Sequence, residues 1–92
     1  MVERTFHRDR SELHGITVVV ETEAGELWIG RCDDEDGERV ILLDADVHRE
    51  AESDTPRAAW REKADRFGVW PRHPRVVIPR GRVTSLERLG EG

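Results

Sequence analysis

Cysteine, lysine, tyrosine and long apolar stretches are all scarce in this chain. The one cysteine, Cys32, excludes an internal disulfide. The longest apolar run, Val40-Ile41-Leu42-Leu43, is far short of the ~20 residues that cross a bilayer as a helix. The opening Met1-Val2-Glu3-Arg4 carries no apolar signal core, and these features together point to the cytoplasm with no membrane partner. There is no low-complexity tract or internal repeat of useful period. No glycine-rich phosphate loop is present either, because Gly81 stands alone between Arg80 and Arg82.

Chemistry that needs clustered ligands or paired catalytic groups finds little support. His7, His14, His48 and His73 contain no pair at the i, i+4 spacing of a helical metal site, and a lone Cys32 completes no zinc motif. The acidic stretch Asp33-Asp34-Glu35-Asp36-Gly37 fails as a calcium loop of the EF-hand type. With Gly37 at the central glycine, Cys32 falls on the first ligand position and Leu43 on the last. Carboxylates are plentiful, but none sits in an apolar setting that would raise its pKa. The expectation is a non-enzymatic protein with no catalytic residue, no metal site and no cofactor.

What is abundant is charge. Of 92 residues, 38% are charged and 36% hydrophobic, which allows one small domain, 1–92, with a compact core. The net charge of −5 hides a split. Residues 1–55 hold 6 Arg/Lys against 16 Asp/Glu, whereas residues 56–92 hold 9 against 4. The stretch from Arg72 to Arg82 contains Arg72, His73, Arg75, Arg80 and Arg82 and no acid. Either the two halves attract each other within the domain, or they meet across subunits, or the basic strip receives an anionic ligand.

The apolar pattern predicts five strands and one helix. Ile16 to Val20 is β-branched and reads as a strand. In 26–32, Leu27 and Ile29 fall on one face and Trp28 and Cys32 on the other, while Gly30 marks a bend or a close backbone approach. The acidic stretch 33–37 reads as a hairpin loop, and 39–47 as the third strand. Thr55-Pro56 and Gly68 bracket a helix over 56–67, with Thr55 as its cap and Trp60, Ala64 and Phe67 forming one apolar stripe. Val76 to Ile78 and Arg82 to Leu86 give two short final strands. The segment 1–14 is an N-terminal arm or a short helix. Ile16, Val18, Val20, Leu27, Ile29, Ile41, Leu43, Val76, Ile78, Val83 and Leu86 are the expected core. Trp60 and Phe67 read as cover for a barrel opening or edge. Trp70 reads as packed where the helix ends, or else as a stacking platform beside Arg72.

Five short, bent strands in so few residues fit a small SH3-like barrel. Val18-Val19-Val20, Gly25, Gly30, Asp36 and Ile41-Leu42-Leu43 then stand at the spacings of the first motif of the Sm/LSm/Hfq family. Val76-Val77-Ile78-Pro79-Arg80-Gly81-Arg82-Val83 is similar to the second. The chain thus resembles a divergent Sm-like protein, which implies a mainly β, strongly bent five-stranded antiparallel barrel with the helix inserted between strands three and four. The resemblance also implies homo-oligomers, of which rings are one form, built by pairing of edge strands. RNA-binding members carry a base-contacting Asn four residues after the motif aspartate, where this chain has Val40; Pro79 is inserted in the second motif. The expected function is binding of single-stranded RNA or another anionic partner through Arg72, Arg75, Arg80, Gly81 and Arg82. The alternative is a protein-interaction or assembly module without nucleic acid.

Overall fold

The computed structural model describes residues 13–90. The expectation for 1–14 therefore lies almost wholly outside the described residues; its last two residues, 13 and 14, begin a turn in which Ile16 N–H donates to the Leu13 carbonyl (2.9 Å). The elements run β1 (Thr17–Thr22), β2 (Glu26–Glu35), β3 (Arg39–Arg49), α1 (Arg57–Phe67), β4 (His73–Pro79) and β5 (Val83–Arg88). Short 3-10 turns follow β3 (Glu50–Glu52) and join β4 to β5 (Arg80–Arg82). All strand pairings are antiparallel, in the order β4-β3-β2-β1-β5.

The sheet curls almost onto itself. Only the three-residue turn Arg80–Arg82 separates β4 from β5, although they are the opposite edges of the sheet. Both edges also feed one cluster, in which Val76 and Ile78 of β4 and Val83 and Leu86 of β5 join Val18, Val20, Trp28, Cys32, Val40, Leu42 and Ala45. Bulges supply the curvature, because an extra residue on one strand bends it and increases its twist. Asp33 is the extra residue between the Cys32–Leu42 and Asp34–Ile41 pairs, and Thr84 is extra between Ser85 and Val83. A third bulge places Gly30 opposite both Asp44 and Ala45, with Asp44 at φ 52°. Gly25, at φ 79°, makes the β1–β2 turn.

A second cluster lies on the outer face of the sheet. Val19, Leu27 and Ile29 are buried there under Ala64, with Trp60, Val69 and Leu89 packed around them. This explains why Val18, Val19 and Val20 are all buried rather than alternating: the sheet is covered on both faces at β1 and β2. Leu27 and Ile29 are therefore core residues as expected, but of this outer cluster. The inward residues of β3 are Val40, Leu42 and Ala45, not Ile41 and Leu43. Ile41 is still buried, on the other side, and Leu43 is half-buried.

The helix runs one residue shorter than expected, with Pro56 rather than Thr55 at its cap and no side-chain capping bond. Gly68 ends it at φ 79°, donating its N–H to the Ala64 carbonyl (2.8 Å). The loop before the helix is tied to β3 by buried His48, whose Nε2 lies 2.6 Å from the Thr55 carbonyl. Phe67, predicted to complete the apolar stripe, is exposed, while Ala64 before it and Val69 after it pack on the outer cluster.

The acidic and basic halves meet within the chain through three of the nine cations of 56–92. Arg57–Glu21, Arg57–Glu50, Arg72–Asp46 and Arg80–Glu35 join the basic half to the acidic half at 3.0–3.7 Å. Each pair is partly solvated and contributes at most about 1 kcal/mol, so they orient the halves more than they hold the fold.

Candidate functional site

The β2–β3 turn and the Arg80–Arg82 turn meet at one end of the sheet. Asp36 organises the first of them: its Oδ1 accepts from the N–H groups of Glu38 (2.8 Å) and Arg39 (3.0 Å), and its own N–H donates to the Arg39 carbonyl (3.0 Å). The second turn docks on the first. Arg80 N–H donates to the Glu38 carbonyl (2.8 Å), and Arg80 Nη1 donates to Glu35 Oε1 (3.0 Å). The two backbone hydrogen bonds, aided by Arg39 and Arg80 nearby, hold the Asp36 carboxyl below the usual carboxylate range.

A lowered folded-state pKa contributes stability that is present above the ordinary carboxylate value and is lost as pH falls through the folded value. Asp36→Ala should accordingly be less stable than the parent at neutral pH. The gap should close as the pH drops below about 4, where carboxylates begin to protonate. Urea midpoints measured across that range check this; a gap independent of pH would show that Asp36 acts without its charge.

The sequence-derived site residues do not form one cluster. Arg80, Gly81 and Arg82 lie together at the Asp36 end, with Arg82 exposed. Arg75 is exposed partway along β4, opposite Leu43, about 13 Å from Pro79 at the rise of an extended strand. Arg72 precedes β4, its Nε 3.7 Å from Asp46 Oδ2, beside Trp70. Arg75 and Arg82 make no ion pair among the described residues. Sequence reasoning missed Arg39, which is exposed and paired in register with Pro79, next to Arg80. It follows an acidic stretch and precedes an apolar one, so only strand register reveals its basic company. Val40 is fully buried, so its side chain offers nothing to a ligand. Cys32 is also fully buried.

From the Arg80 turn a groove of about 760 Å³ runs along β5, lined by Leu13, Glu35, Arg80 and the strand itself. Among the described residues no helix is long and apolar enough to cross a membrane.

A curled five-stranded antiparallel sheet in this order, with a glycine at the first turn, a second in the bend of β2 and an aspartate-organised loop docked against an Arg-Gly turn, is the Sm-like fold. Among solved structures the chain is similar to the Sm protein of Pyrococcus abyssii in complex with a uridine heptamer, with a TM-score of 0.57 and 20% identity over 92% of this chain and 93% of that one. No family model matches the sequence, and no curated protein matches it.

Proposed function

We propose that the protein is a non-enzymatic, cytoplasmic Sm-like module, a single domain over 1–92, that assembles with copies of itself and binds single-stranded RNA at the Arg80-Gly81-Arg82 turn. The observation that carries this reading is the docking of that turn on the Asp36 loop, which presents Arg39 and Arg82 on the surface beside Arg80. Arginine suits the task because its planar guanidinium both stacks on bases and grips phosphate in two-point contacts. The structurally similar Pyrococcus protein is in complex with a uridine heptamer, which supports the same ligand class here.

Self-assembly is supported by the sheet edges. Among the described residues β4 and β5 are the two end strands of the sheet, and proteins pair or cover the edges of such strands. Helix α1 covers the outer face over β1 and β2 and, among the described residues, does not line the groove along β5. Pairing β4 of one copy with β5 of the next is head-to-tail, and such contacts close into a ring when the rotation permits. The turns, lying where the two edges meet, would then gather around the ring's centre.

The competing reading, assembly without nucleic acid, draws on the ion pairs that already engage Arg57, Arg72 and Arg80. Titration of a labelled mixed single-stranded RNA pool at modest salt, with particle mass followed by light scattering, separates the two. Arg80→Ala with Arg82→Ala should weaken RNA binding about tenfold or more. It should also reduce the slope of log affinity against log salt by about 1.4, as two phosphate contacts on a single strand are lost, with the mass unchanged. No RNA binding by the parent protein, or disassembly of the variant, supports the assembly reading instead. A 10.6 kDa particle at micromolar concentration would overturn self-assembly.

A further inference from the structure

The aromatic residues of the described chain divide sharply by exposure. Trp28 is buried in the inner cluster and Trp60 packs against the outer one, yet Phe67 is 78% exposed and Trp70 72% exposed. The two exposed rings line one groove of about 470 Å³, together with Lys63, Gly68 and Pro71, over Asp46 and Ala64. Their placement is fixed by the backbone. Phe67 is the last residue of α1, and Gly68 at φ 79° turns the chain away from the helix axis. Arg72 N–H then donates to the Trp70 carbonyl (2.7 Å), closing a tight turn around Pro71 that presents the indole.

One cation, Lys63, lines the groove with these rings, and two more lie beside them along the chain. Lys63 lies one helical turn before Phe67, Arg66 sits in the last turn, and the Arg72 side chain is 66% exposed. Lys63 and Arg66 make no ion pair among the described residues. The single acid lining the groove, Asp46, is nearly buried and already accepts the Val47 N–H (2.8 Å) and faces Arg72 (3.7 Å).

We propose that Phe67 and Trp70 are a stacking platform for the bases of single-stranded nucleic acid, with Lys63, Arg66 and Arg72 holding its phosphates. Flat π-faces at regular spacing along a polyanion match two presented aromatic rings among three cations, whereas an acidic peptide would use the charges and leave the rings idle. This surface is separate from the Arg80 turn, since Arg72 and Arg80 flank the two ends of β4, about 25 Å apart at the rise of an extended strand. It shares with the proposed function only the class of ligand.

The test is binding of labelled oligouridine and oligodeoxythymidine, read by anisotropy and by quenching of tryptophan emission, with particle mass measured alongside. Both side chains are exposed, so Phe67→Ala with Trp70→Ala should leave the fold intact and weaken binding about tenfold or more. Trp70→Phe should restore most of that loss. Quenching should vanish in Trp70→Ala. A tighter oligouridine complex would assign RNA, and equal affinities single strands in general; both uphold the platform. Undiminished affinity in the double alanine variant, while Arg80→Ala with Arg82→Ala abolishes binding, overturns the platform and leaves the proposed function standing. Loss confined to the platform variant does the reverse. A change in particle mass on removing Trp70 would make the surface a contact between copies and overturn the proposal. Failure of the parent protein to bind either oligonucleotide overturns both readings.

Discussion

Gly30→Ala should destabilise the protein by about 1–3 kcal/mol, the usual cost of forcing an extra carbon into a packed core, and Gly30→Val by more. A Cβ at this position would stand 2.6 Å from the Ala45 Cβ, 3.0 Å from the Ala45 Cα and 3.1 Å from the Leu43 carbonyl oxygen. Two of those three neighbours are backbone, which cannot rotate out of the way. The crowding arises from the bulge: two residues of β3 oppose Gly30, and the strands close on each other where the sheet bends most. Ala45→Gly in the same chain removes the nearest atom and should recover part of the loss, but not all, because the Cα and carbonyl contacts remain. Urea unfolding of the two single variants and the double variant measures the coupling. Equal stability of Gly30→Ala and the parent would show that the bend does not depend on this close approach.

Gly30 was legible in the sequence because a glycine inside an otherwise good strand has few structural reasons to be there. The helix was legible for a similar reason: Trp60 and Ala64 keep helical spacing and Gly68 stops it. The facing of β3 was not. Val40 through Leu43 are all apolar, so alternation carries no information, and the left-handed Asp44 then shifts the phase so that Ala45 turns inward beside Leu42. The split of the core into inner and outer clusters depends on where α1 lies, which no local pattern encodes. The acidic composition of 33–37 suggests a loop, yet β2 continues through Glu35, because Asp34 and Glu35 pair with Ile41 and Val40 of β3 and Glu35 is engaged by Arg80. At the candidate site the Arg80 turn was visible from its motif. Arg39 was hidden among acids until register placed it beside Pro79, and the exposure of Trp70 follows from a tight turn rather than from composition.

Leu27→Ala should lower stability by about 2–5 kcal/mol, a large share of the 5–15 kcal/mol typical of a small domain. Leu27 is 1% exposed in the outer cluster, between the sheet and α1. An isolated helix of 11 residues is marginal in water, so α1 depends on what it covers. Further ties to the sheet among the described residues include the His48–Trp60 ring contact (5.5 Å) and the ion pairs Arg57–Glu21 (3.1 Å) and Arg61–Glu87 (2.7 Å), both pairs partly solvated and worth at most about 1 kcal/mol each. Burial therefore dominates, and amide hydrogen exchange should show α1 and the facing parts of β1 and β2 losing protection together in Leu27→Ala. Val77→Ala, on an exposed position of edge strand β4, should stay within about 0.5 kcal/mol of the parent. Protection that persisted in α1 while the sheet loosened would mean that the ion pairs, not the outer cluster, hold the helix. The consequence reaches the proposed platform. Phe67 and Trp70 hang from the C-terminal end of α1, so a helix that opens more often presents them less often, and Leu27→Ala should weaken oligouridine binding where Val77→Ala does not.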